Sequence, residues 1–196
     1  MGYSTYFNGS LYFNKPVESW LVEYINEFNR IRHMKRSPEL IKEQYPNWED
    51  QCFKGELGEE GEYFIGGENH SYSYDGKRVD TSVLNGNSPA RTQPGLWCDW
   101  MINEEGNLTW DGAEKFYDYE AWLEYLINHF FEPLGYVLNG EITWEGEDSD
   151  DFGTIHVEDN VVEMQYGIKV MSMDQLSTTD MIEELERRGY VVSKPA

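Results

Sequence analysis

Glu147-Asp148-Ser149-Asp150-Asp151-Phe152-Gly153 is the densest run of oxygen ligands in this chain of 196 residues. Carboxylates gathered in that way suit a hard cation such as calcium. The order of an EF-hand is not met, because Phe152 stands where the third acid belongs and no helical pattern flanks the run. No metal and no cofactor is therefore expected. The four histidines, His33, His70, His129 and His156, lie far apart, and no nucleophile elbow, phosphate loop or HExxH spacing joins them to a partner. Cys52 and Cys98 stand 46 positions apart with no second ligand pair, which excludes a zinc ribbon and predicts packed, reduced thiols. The alternative reading is a small-ligand-binding or hydrolytic site built from the loops of residues 36–95, with His70 beside Cys98 or a carboxylate.

The acids are more informative as a pattern than as ligands. If Ile142 and Trp144 face a core, strand alternation turns Glu141, Thr143 and Glu145 outward, beside Thr154, His156 and Glu158 and then Val161, Glu163 and Gln165. Alternate residues on a strand are about 6.6–6.8 Å apart, close to the axial rise of two phosphates on one DNA strand. Glu141, Glu145, Glu147, Asp148, Asp150, Asp151, Glu158, Asp159 and Glu163 are accordingly the expected partner-binding residues. Residues 101–167 hold 17 acids and one base, Lys115, and the whole chain carries −22. Such a field opposes direct contact with nucleic acid or an anionic membrane. It suits a basic groove on another protein, with the acids mimicking DNA or stopping a nucleic-acid-binding site. The bland alternative is a set of charges that only keeps the protein in solution.

The elements that must position these acids follow from periodicity. Residues 9–13 read as a strand, followed beyond Pro16 by a helix with Trp20, Leu21, Tyr24, Phe28 and Ile31 on its buried stripe. Strands are predicted at 96–101 and 107–110, then a helix from Asp118, as N-cap, to Phe131, stopped by Pro133 and Gly135. A meander follows at 136–144, 153–158 and 161–166, its last turn being Asp159-Asn160. Gly9, Gly106 and Gly140 each read as the start of a strand. The pattern predicts an α+β fold: an antiparallel sheet with two main amphipathic helices packed on one face, plus a short C-terminal strand-helix extension. Residues 1–167 form the expected core domain, with a loop-rich insert at about 36–95 and the extension at 168–196. A short strand is predicted within the insert at 62–65. The basic cluster Arg30, Arg32, His33, Lys35 and Arg36 is expected to complement the helix dipole and to pair with the acidic meander.

Arg30-Ile31-Arg32-His33-Met34-Lys35-Arg36, Gln93-Pro94-Gly95-Leu96-Trp97-Cys98, Trp122-Leu123-Glu124-Tyr125-Leu126-Ile127 and Gly140-Glu141-Ile142-Thr143-Trp144-Glu145-Gly146-Glu147 carry a resemblance. With the opening Met1-Gly2-Tyr3, these motifs resemble a family of small acidic proteins of phages and prophage-bearing bacteria, over residues 1–167. The resemblance implies a setting, phage against host, and no site residue. The expected function is thus counter-defence or host takeover, by binding a host protein through the acidic surface. The expected location is the cytoplasm, since the start shows no basic-then-apolar leader and no run reaches the roughly 20 apolar residues of a membrane span.

Overall fold

Thr5, Phe7 and Leu11 alternate with Tyr6, Asn8 and Tyr12, and the first set is buried while the second is exposed. This makes β1 (Thr5–Phe13) a two-faced strand, and the same period sorts every long strand of the protein. The computed structural model describes residues 2–67, 69, 80–167 and 182. The chain divides into two units, Met1–Tyr166 and Gly167–Ala196. The strand and helix expected beyond residue 167 lie outside the described residues, as does His70.

β1 leads into α1 (Ser19–Arg30). The insert follows, with β2 (Lys35–Arg36), α2 (Pro38–Gln44) and β3 (Val83–Asn85). A short hairpin, β4 (Trp100–Ile102) and β5 (Leu108–Trp110), precedes α3 (Tyr119–Leu126), and β6 (Leu138–Gly146), β7 (Phe152–Glu158) and β8 (Val161–Tyr166) complete the unit. The main sheet is antiparallel in the order β4-β5-β1-β6-β7-β8. α1 and α3 bury their stripes in one core with the inward residues Phe7, Leu11, Trp100, Ile142, Trp144, Ile155 and Val157. The fold is α+β, as the periodicity predicts.

Several local readings are corrected. Trp20 does not belong to the buried stripe of α1: it is 39% exposed, and Ile25 is buried in the core instead. Asp118 is no side-chain cap, because its φ of 55° is left-handed and its carboxylate bonds no helix N–H. α3 does not run on as an α-helix to Phe131. It widens into a π turn at Ile127–Phe131, closed by the Glu132 N–H bonding to Ile127 O. That turn lets Ile127, Phe130 and Phe131 all reach the core. Gly106 does precede a strand, but Gly9 and Gly140 sit in mid-strand, with φ of 121° and 138°. A Cβ at Gly9 would lie 2.5 Å from Glu141 O, and one at Gly140 would lie 2.9 Å from Ser10 O. Only glycine admits the β1–β6 approach there.

The insert is more regular than its turn-rich composition implies. Ser37 caps α2, accepting from the Leu40 N–H at 3.3 Å, with Pro38 in the first turn. Ile41, Cys52, Leu57 and Phe64 form a second small core. The strand expected at 62–65 is a turn with a single bridge, Cys52 to Phe64. Among the described residues the basic cluster forms its ion pairs within α1 and the insert and not with the meander. Arg30 meets Glu27 at 2.6 Å, Lys35 meets Glu60 at 2.5 Å, and buried Arg36 bonds Asp80 and Ser82. Burial pushes the Asp80 carboxyl up, but Ser82 and Arg36 outweigh it and hold the group below the ordinary carboxylate range.

Candidate protein-binding face

The helices cover one face of the main sheet, and the other face carries the outward residues of β1, β6, β7 and β8. Strand register places them in rows. Ser10, Glu141, His156 and Glu163 follow one another across the four strands, and Asn8, Thr143, Thr154 and Gln165 form the next row. Tyr6, Glu145 and Phe152 make a third. Glu141, Glu145 and Glu163 are exposed, and no Lys or Arg stands among these outward positions. Neighbouring strands are about 4.8 Å apart and alternate residues about 6.8 Å, which puts Glu141 about 10 Å from Glu163, across His156, and about 14 Å from Glu145. His156 Nδ1 is 3.2 Å from Glu141 Oε1.

Both ends of β7 are held in place by polar contacts. Asp159 and Asn160 have φ of 48° and 69°, the pair of left-handed residues that a two-residue hairpin requires. Asn160 Oδ1 accepts from the Leu138 N–H at 2.7 Å, and Asn139 Oδ1 accepts from the Asp159 N–H at 2.9 Å. The turn is thereby pinned to the start of β6. A shallow hollow of about 310 Å³ lies there, lined by His156, Glu158, Asp159, Val161 and Glu163. At the other end, the Tyr3 hydroxyl donates to Asp151 Oδ2 at 2.7 Å, while Trp144 Nε1–H donates to Asp151 Oδ1 at 3.3 Å. The Ser4 N–H donates to Glu147 Oε1 at 2.8 Å.

The nine acids named from the sequence therefore separate into three groups. Glu141, Glu145 and Glu163 share the open sheet face, and Glu158 and Asp159 extend it at one end. Asp148 and Asp150 are exposed at the far end, roughly 20 Å away along β7. Asp151 and Glu147 are engaged in closing their own loop. Asp151 in particular lies under the loop against Trp144, where it is half-buried. Among the described residues no group of three or more His, Cys, Asp or Glu is arranged to hold a metal ion.

Two exposed aromatics on this face were not singled out by sequence reasoning. Tyr6 and Tyr12 are 60% and 58% exposed, opposite Glu145 and Asn139. The signal was present in β1, where the alternation that buries Phe7 and Leu11 turns both tyrosines outward. Exposed tyrosines beside carboxylates have the amphipathic character of interface anchors.

Of the pair considered for hydrolysis, His70 lies outside the described residues, and the placement of Cys98 does not suit a nucleophile. Cys98 is fully buried, and burial pushes its thiol far up, the reverse of an activated nucleophile. His129 is stacked on Tyr125, with centroids 4.1 Å apart, and its Nδ1 lies 2.7 Å from the Tyr63 hydroxyl. Buried Glu62 accepts from Tyr125 at 2.8 Å and from Thr92, which ties the insert to α3.

No family model, no curated protein and no solved structure matches this chain. Among the described residues no helix is long and apolar enough to cross a membrane.

Proposed function

We propose that this protein acts by binding, docking the outer face of its sheet on a basic groove of a nucleic-acid-binding protein. The observation that carries this reading is the sheet face itself. Glu141 and Glu163 stand on either side of His156 in one row of it, and Glu145 stands two rows further along β6, with no Lys or Arg at the outward positions between them and with exposed Tyr6 and Tyr12 at the flank. Carboxylates spread over one face without cations sum to a negative field, and a partner's cations would be drawn to it. The tyrosines would supply the contact area that carboxylates alone lack. In the setting that the phage resemblance implies, the partner is a host defence protein, and occupation of its groove denies it nucleic acid.

Quantitative affinity capture from host lysate tests this with three forms of the full chain. These are the wild type, the variant Glu141→Lys/Glu145→Lys/Glu163→Lys, and the control Glu104→Lys/Glu124→Lys, whose changes fall on the β4–β5 turn and on α3. A protein retained by wild type and control, lost from the sheet-face variant and released by duplex DNA is the expected result. Equal retention by all three forms would rule the face out.

A further inference from the structure

α1 leaves one large aromatic side chain partly in solvent. Trp20, 39% exposed, packs against Phe53 with centroids 6.1 Å apart, and its indole N–H bonds Glu18. Between this part of α1 and the segment around residues 49–55 lies a cleft of about 610 Å³, walled by Trp20 and Ile65 and edged by Glu23, Glu49 and Asp50. Its volume is within the range of sites that enclose small ligands or anchor side chains.

The cleft keeps a net negative charge, with Lys54 the one base among its lining residues. Glu27, also on its edge, is paired with Arg30 at 2.6 Å. Glu23, Glu49 and Asp50 have no hydrogen bond or ion pair through their side chains among the described residues. Lys54, which lines the cleft, is turned toward the neighbouring aromatic surface: its Nζ stands 5.6 Å from the centroid of the Phe53 ring. At the base, burial first and the Glu49 charge second push the Cys52 thiol up to about 12, so the cleft offers no nucleophile. It offers an aromatic wall and three carboxylates against the single ammonium of Lys54.

We infer that this cleft receives an arginine side chain of a partner protein. The guanidinium stacks on the Trp20 indole, and Glu23, Glu49 and Asp50 accept its N–H groups. Arginine suits the site better than lysine because its planar, weakly hydrated head stacks on an aromatic face and offers a fork of donors to carboxylates. The cleft is on the helix layer, opposite the open sheet face, so the inference does not rest on the function proposed for that face.

Calorimetry on the full chain at about 0.15 M salt, with the capped peptide Gly-Arg-Gly-Arg-Gly as probe, tests the assignment alongside the NMR signal of the Trp20 indole N–H. Saturable binding that shifts this signal is expected, weakened about tenfold or more by Trp20→Ala and by the isosteric pair Glu49→Gln/Asp50→Asn. The sheet-face pair Glu141→Lys/Glu163→Lys is expected to leave the affinity unchanged. No saturable binding, or unaltered affinity in both cleft variants, would overturn the site. Equally tight binding of the lysine peptide or of spermidine would overturn the arginine assignment.

Discussion

Two buried titratable groups respond to pH in opposite directions, and each response follows from its surroundings. Burial lowers His33 to about 3, helped by the nearby Arg36 charge and opposed by a backbone hydrogen bond at Phe28. The folded protein therefore resists protonating His33. Its contribution to stability is complete above the ordinary histidine range and is lost as pH falls from about 6.5 toward about 3. Asp99 is raised to about 7, by burial first and by the Asp111 charge second. The two acids are held together at the open end of β4 and β5, where the Asp111 N–H donates to Asp99 O at 3.0 Å. Asp99 favours folding while protonated, and that advantage disappears as pH rises from the ordinary carboxylate range through about 7. Asp99→Asn is expected to raise the melting temperature clearly at pH 8 and little at pH 4. Each tenfold change in proton affinity is worth on the order of 1.4 kcal/mol, and solvent screening at this end of the hairpin trims it. The gain at pH 8 is therefore a few kcal/mol at most, and thermal unfolding at the two pH values measures it.

At the scale of elements, the edges and crossings of the sheet carry the sharpest expectations. Asn26 on α1 donates from Nδ2 to Ile102 O at 2.9 Å and accepts from the Ile102 N–H at 2.8 Å. Its amide thus takes the place of a further strand on the β4 edge. Asn26→Ala leaves both backbone groups without that partner. A loss of about 1–3 kcal/mol is expected in chemical denaturation, together with faster aggregation. Gly9→Ala and Gly140→Ala each force a side chain into a left-handed residue pressed against the neighbouring backbone. About 1–3 kcal/mol each is expected from backbone strain alone.

The same elements show what could be read from residue order. The meander was legible because Ile142, Trp144, Ile155 and Val157 alternate cleanly with polar residues, and a turn of two left-handed residues fixes the register of β7 and β8. The three outward glutamates of the candidate face were legible for the same reason. α2 was not, since seven residues give too short a stretch for periodicity to declare itself. The π turn was not legible either, because it depends on packing Phe130 and Phe131 together. Asp151 has the same composition signal as Asp148, and only the fold sets one against Tyr3 and Trp144 while leaving the other exposed.

At the scale of the whole molecule, the excess of 37 acids over 15 bases is unevenly compensated. Arg30, Lys35, Arg36 and Arg91 are paired with Glu27, Glu60, Asp80 and Glu59 in and around the insert. Among the described residues the meander has no comparable set. Its described ion pair is His156 with Glu141, which is charged only when the imidazole is protonated. Added salt should therefore act oppositely on the protein alone and on its complex. Screening relieves self-repulsion, so the melting temperature rises with ionic strength, while affinity for a basic partner falls. The most direct test of the sheet-face account is titration of the purified captured partner with the wild-type chain and with Glu141→Lys/Glu145→Lys/Glu163→Lys, at matched salt. The account predicts a loss of affinity of about tenfold or more in a variant that melts no lower than wild type. An unchanged dissociation constant in that folded variant would contradict it.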